Sequence, residues 1–170
     1  MSVELKKLTH IIDEQFAAEE KMLQEIKAGS FSLENPYVKL NPYIIAPLTA
    51  LVYFKTDAET EATVLVKGKE NAGDMTFTFP TGKEHHLPIY GLYAGHANQV
   101  EITLCRGPTK TLTTQTEKAP GSVHMPRLIT PTPEYLEGNV IFASPASPGR
   151  TAAYDHTGDV RRSVPVTLTF

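Results

Sequence analysis

LPIYGLYAGHANQVEITLC, residues 87–105, is the stretch on which the fold of this chain turns. Its first half (Pro88, Ile89, Tyr90, Gly91, Leu92, Tyr93) is apolar and turn-prone. Its second half alternates, with Val100, Ile102 and Leu104 on one side and Glu101, Thr103 and Cys105 on the other. Period-two alternation with β-branched residues marks a half-buried strand. Gly91, Gly95 and Asn98, between the halves, favour a bend or a tight connection. A lone strand is not stable, so the flanking sequence must supply its partners.

Upstream, Leu48, Ala50, Val52 and Phe54 alternate with Thr49, Leu51, Tyr53 and Lys55. Residues 56–61 read as a polar turn. A second strand then sets Val64 and Val66 against Thr63, Leu65 and Lys67. Gly68 to Asp74 reads as a charged turn, and Met75 to Phe79 alternates again until Pro80 is expected to stop it. Downstream, Gly107-Pro108 turns the chain into Thr109–Thr116, whose one large apolar residue is Leu112. That composition suits an edge strand. Short strands at hairpin-like intervals, rich in Thr and Val, predict an antiparallel β-sandwich of the immunoglobulin or fibronectin type. No helical pattern separates them, which disfavours a doubly wound sheet.

Before the strands, Ser2–Ala28 carries Leu5, Leu8, Ile11, Ile12, Phe16, Met22, Leu23 and Ile26 at mostly three- and four-residue spacings. This is one amphipathic helix, with Ser2 as a cap and Gly29 expected to end it in the left-handed conformation. Its apolar stripe must dock on the sheet or pair with another copy of the helix, giving a homodimer. Ser30 to Pro42 reads as a linker whose two Asn-Pro-Tyr triplets, 35–37 and 41–43, reflect turn chemistry. After the strands, Lys118-Ala119-Pro120-Gly121 and the prolines at 126, 131 and 133 read as a connection. Gly138–Ala143 is a fresh strand, residues 144–149 a turn, and Ala152-Ala153-Tyr154 enters the turn Asp155-His156-Thr157-Gly158-Asp159 before Val160-Arg161-Arg162. The expected units are therefore the helix (1–29), the sandwich (30–120) and a linker with one hairpin (121–170).

A net charge of −3 offers no basic stripe for nucleic acid. The N-terminus lacks the apolar run of a secretion signal, no stretch reaches membrane-spanning length, and the helix's polar face is mainly acidic. A cytoplasmic protein with no membrane partner is the expectation. Cys105, the single cysteine, excludes an intrachain disulfide and reads as a small, partly buried residue rather than a reactive thiol. The six histidines are His10, His85, His86, His96, His124 and His156. Side chains of the adjacent His85 and His86 diverge in a strand, and no His-x-x-x-His spacing lies on the helix, so no metal and no cofactor is expected. His10 reads as an edge residue of the helix, and His96 as a turn-stabilising one. There is no Gly-x-Ser-x-Gly elbow and no phosphate loop; Lys67-Gly68-Lys69 reads as a turn with solvated charges. No catalytic residue is assigned.

Several runs together resemble the N-terminal domain of bacterial aryl-sulfate sulfotransferases. They are Pro42-Tyr43, Ala46-Pro47-Leu48-Thr49-Ala50-Leu51, Val64, Val66, Gly68, Lys69, Tyr90-Gly91-Leu92-Tyr93 and Ala97-Asn98-Gln99-Val100. The resemblance covers roughly residues 42 to 117. Tyr154 to Arg161 is similar to the hairpin that opens the family's catalytic propeller, where the family continues into tryptophan and this chain has Arg162. The resemblance implies a parent enzyme that moves a sulfuryl group from a phenolic sulfate to a phenol acceptor. It implies a carrier histidine on later propeller blades, beyond Phe170, so that this chain alone is inactive. Asp155 and Asp159 could hold calcium but more simply form the turn. Arg161 or Arg162 could grip a sulfate bidentately, though two charges on a late strand read first as a solvated face. The competing expectation is a binding or oligomerisation module.

Overall fold

The computed structural model describes residues 2–119, 121, 123, 126–127, 129–130, 140–144 and 151–164, with backbone alone for 2–9 and 164. Helix α1 spans Ser2–Ala28; strands β1 (Tyr37–Leu40), β2 (Ala50–Val66), β3 (Met75–Ile89), β4 (Ala97–Leu104) and β5 (Thr109–Gln115) form one sheet. Strands β6 (Ile141–Ala143), β7 (Thr151–Tyr154) and β8 (Val160–Val164) form a second, antiparallel sheet in that order. The segment 131–139, residues 145–150 with all but the first residue of the expected turn, most of the proline-rich connection and His124 lie outside the described residues.

The five-stranded sheet is mainly β and antiparallel throughout, and it makes its own sandwich by curling. The N-terminal half of β2 pairs with β1 (Tyr37 opposite Tyr53) and with the end of β3 (Ala50 opposite Ile89). The C-terminal half pairs with the start of β3 (Val66 opposite Met75) and with β4 (Val64 opposite Ile102). β5 then closes the far edge on β4. Leu48, Ala50, Val52 and Phe54 from one half meet Ala62, Val64 and Val66 from the other in a single apolar core. Val100, Ile102 and Leu104 join it, while Thr103 is exposed, so the phase of the 87–105 stretch is as read.

Two expected breaks are absent. Residues 56–61 are not a turn but the middle of β2, and β3 runs on through Pro80. The pairing slips register between Lys55 and Thr60 and again between Thr60 and Ala62. Such bulges let a strand bend without ending. Pro80 falls in the slip, between Phe79 (opposite Ala62) and Gly82 (opposite Thr60), where a missing N–H costs no ladder bond. The exposed run Asp57-Ala58-Glu59 therefore marks a fold in the sheet.

The presumed linker 30–42 also contains structure. Tyr37–Leu40 is β1, Leu33 is buried, and Ser32 bridges Lys55. Strapped in this way, the linker delivers α1 to the outer face of β2. There Met22 and Ile26 pack with Tyr53, Phe31, Tyr37 and Leu51. Gly29 follows the helix but is not left-handed. Its missing Cβ instead admits the Phe31 ring, which a Cβ would meet at 2.3 Å. At the second Asn-Pro-Tyr triplet, Asn41 does adopt a positive φ of 46° and accepts the Ala46 N–H on its side chain at 2.8 Å. No described helix is long and apolar enough to cross a membrane.

Candidate functional site

The connection from β3 to β4, residues 90–96, is pulled into the molecule rather than left on its surface. Gly91 (φ 78°) and Gly95 (φ 62°) take left-handed conformations that other residues resist. Leu92 and Tyr93 are buried between them. Asn98, fully buried at the start of β4, holds the loop from below. Its Oδ1 accepts the Tyr93 N–H at 2.7 Å, and its Nδ2 donates to the carbonyls of Tyr93 (3.1 Å) and His96 (3.0 Å). Thr116 Oγ1 adds a short bond to the Tyr93 carbonyl. An amide with both ends engaged satisfies a burial that would otherwise be costly.

The second sheet inserts Arg161 against this loop. Tyr154 pairs with Val160 and Ala153 with Arg162, which leaves Arg161 as the extra residue of a bulge. Bulges re-aim side chains. Val160 and Arg161 consequently point inward in succession, and Arg161 is 0% exposed. Its Nε donates to the Gly91 carbonyl at 2.5 Å, and its Nη1 to the Gly73 carbonyl at 2.8 Å and the Tyr93 hydroxyl at 2.7 Å. The guanidinium lies 3.9 Å from the Tyr93 ring centroid, a cation–π contact strengthened by the lack of water. Asp155 Oδ2 stands 3.4 Å from Nη1 and supplies the counter-charge. Arg162 is exposed, as the solvated-face reading had it; for Arg161 that reading is corrected.

Asp155 is the hub of the 155–159 turn. Oδ1 accepts from the Thr157 N–H (3.0 Å), the Thr157 hydroxyl (2.7 Å) and the Asp159 N–H (3.1 Å). Oδ2 accepts from the Tyr93 hydroxyl at 2.8 Å. Burial pushes this carboxyl up, but the bonds from Thr157, Tyr93 and Asp159 outweigh it and hold it below the ordinary aspartate value. Burial pushes the Tyr93 phenol up to about 12, helped by its bond to Asp155 and opposed by the Lys69 N–H and Arg161. Asp159 pairs with Lys69 at 2.7 Å, so Lys69 is a strut between the two sheets rather than only a solvated charge. Asp155 and Asp159 are thus engaged turn residues, and no group of three metal-ligating side chains occurs among the described residues.

The remaining candidates are scattered. His85 is buried and stacked on Phe54 (centroids 4.6 Å), and burial lowers its pKa. His86 is exposed on the opposite side, against Tyr53. His96 caps the β3–β4 loop through its backbone, and its ring packs edge-on to Tyr93. His10 is exposed and pairs with Glu14 on α1. His156 is buried with Nε2 3.7 Å from Glu70. Cys105 is exposed, not partly buried, just past the end of β4. The geometry brings together Tyr93, Asp155, Lys69 and Arg161, a constellation that binds two sheets and leaves no activated nucleophile.

The family model of the arylsulfotransferase Ig-like domain matches residues 37–119, from β1 to just past β5. Residues 37–119 are an arylsulfotransferase Ig-like domain. The curled sheet, with its inward loop at Tyr93, is the structure of that domain in this chain. A curated protein, the arylsulfate sulfotransferase AssT of Lelliottia amnigena, is 33% identical over 85 residues. The alignment covers 44% of this chain, and the chain spans only 14% of that relative's length. Gly73, Gly91 and Tyr93, which receive Arg161, lie inside the Ig-like domain; Asp155 and Arg161 lie beyond it.

Proposed function

We propose that the chain is the N-terminal accessory portion of an aryl-sulfate sulfotransferase, whose parent enzyme passes a sulfuryl group from a phenolic sulfate to a phenol. The match of residues 37–119 to the family's Ig-like domain carries this reading. The β6–β8 sheet is then the opening of the catalytic propeller, and the Arg161 clamp is what seats the Ig-like domain on it. Sulfuryl transfer through a covalent intermediate needs a positioned nucleophile with cationic neighbours at the developing charge. In this chain the buried cation spends its Nε and Nη1 on carbonyls, a phenol and Asp155, and the described histidines are dispersed, which supports an accessory role.

The test compares this 170-residue chain with the product of its complete reading frame. 4-Nitrophenyl sulfate and phenol are supplied, and 4-nitrophenol release is followed. Transfer is expected from a longer product carrying further blades and not from the 170 residues alone. Covalent sulfuryl labelling of any of the six histidines here would sink the assignment.

A second reading, self-association through α1 into a homodimer, is favoured by one observation. Ile11, Ile12 and Phe16 are 41%, 47% and 66% exposed, although they continue the stripe whose Met22 and Ile26 are docked.

A further inference from the structure

We propose that the cleft beside Arg161 binds a small aromatic anion. A cavity of about 360 Å3, within the size range of small-ligand sites, is lined by Phe77, Tyr90, Gly91, Phe142, Arg161 and Arg162. Phe77 and Tyr90 set their rings edge to face, with centroids 6.5 Å apart. Phe142 comes from β6 and is 56% exposed, so an apolar ring is offered to whatever enters. Arg162 holds its guanidinium 5.9 Å from the Tyr90 centroid.

The polar end of the cleft is the decisive part. Every other nitrogen of the Arg161 guanidinium has an acceptor, but Nη2 is buried without one. A buried cationic donor left unpaired is costly, and native proteins rarely leave one so. Gly91 keeps the ground next to it clear: a Cβ there would stand 3.6 Å from Nη2 and 2.3 Å from Met75 Sδ. One carboxylate, Asp74, also lines the cleft, but it already takes the Gly68 N–H at 2.7 Å and faces Lys67 at 3.7 Å. What the cleft presents in one lining is two guanidinium groups and three aromatic rings. A flat guanidinium matches a carboxylate, sulfonate or sulfate head, and the rings suit an arene behind it. The assignment stands on the cleft alone and does not depend on the sulfuryl-transfer reading.

The experiment titrates the isotopically labelled 170-residue chain with benzenesulfonate and follows its backbone amides by NMR. Inorganic sulfate and the neutral methyl phenyl sulfone serve as comparators. Saturable shifts are expected at Tyr90, Gly91 and Phe142, with each comparator at least about tenfold weaker. Phe142→Ala and Arg162→Gln alter exposed side chains, so the fold survives, and each should weaken benzenesulfonate about fivefold or more. The proposal is overturned by shifts centred elsewhere, by sulfate or the sulfone binding as well, by unchanged affinity in both variants, or by no saturation up to about 10 mM.

Discussion

Ile102 and Thr103 are neighbours with opposite fates. Ile102 is 0% exposed in the core, and Thr103 faces out, with its hydroxyl 2.9 Å from that of Thr109. Ile102→Ala should cost about 2–5 kcal/mol, because it removes buried methyl groups and leaves a cavity. Thr103→Ala should cost about 0.5 kcal/mol or less, as for an exposed site. Urea unfolding of the two variants checks this, and equal losses would mean the inward face of β4 is misassigned. The alternation of Val100, Ile102 and Leu104 made this difference legible in the sequence alone. Arg161 was not legible. Its acceptors are 70 and 88 residues away at Gly91 and Gly73, and the bulge that aims it inward leaves no periodic trace. A reader of two adjacent arginines has no local reason to send one into the interior.

At the level of elements, strand positions were largely readable, but strand ends were not. Thr56 to Glu61 has the composition of a turn, yet β2 carries it because β3 pairs along both halves and absorbs the polar run in register slips. Likewise Tyr37–Leu40 is too short to announce itself, and becomes a strand only because β2 is there to receive it. Helix α1 was legible as a helix, and docking on the sheet was one of its two expected fates, but nothing local marked Tyr53, on the face of β2 opposite Val52 and Phe54, as the residue that receives it. Deleting residues 1–29 removes Met22 and Ile26 from Tyr53, each worth about 1.5–3 kcal/mol when fully buried. The truncated chain should therefore unfold at lower urea, and its mass in solution tests the second reading. A dimer that falls to a monomer on deletion supports pairing through α1; a monomer both before and after leaves α1 as an intrachain cover alone.

Across the whole molecule, the core cluster joins Val123, Ala152, Tyr154 and Val160 to the sandwich interior, so the two sheets are expected to melt together. The clamp between them gives that melting a pH signature. Asp155 has a lowered folded-state pKa, so the unfolded chain takes up its proton first on acidification. Its contribution is present above the ordinary aspartate range and is lost as pH falls through the lowered value. Tyr93 is shifted the other way, to about 12, and its contribution is complete below the ordinary tyrosine value near 10. It is lost as pH rises from there through 12. Thermal melts should show a neutral plateau with an acid limb and an alkaline limb. Tyr93→Phe should flatten the alkaline limb specifically; an unchanged limb would mean another group controls it. The clamp also imposes an order on synthesis. Gly73, Gly91 and Tyr93 leave the ribosome well before Arg161, and the Ig-like domain is complete at residue 119, about forty residues earlier. At typical elongation rates that is an interval of roughly 2–8 s. In that interval water, not the guanidinium, must occupy the two carbonyls and the phenol. A nascent chain stalled near residue 155, with residue 119 clear of the exit tunnel and Arg161 not yet added, should accordingly be cut by protease around 90–96, and one stalled far enough past residue 164 for Arg161 to emerge should be protected there. The arginine is in this sense a late-arriving key, and the newborn domain stays unlatched until it comes.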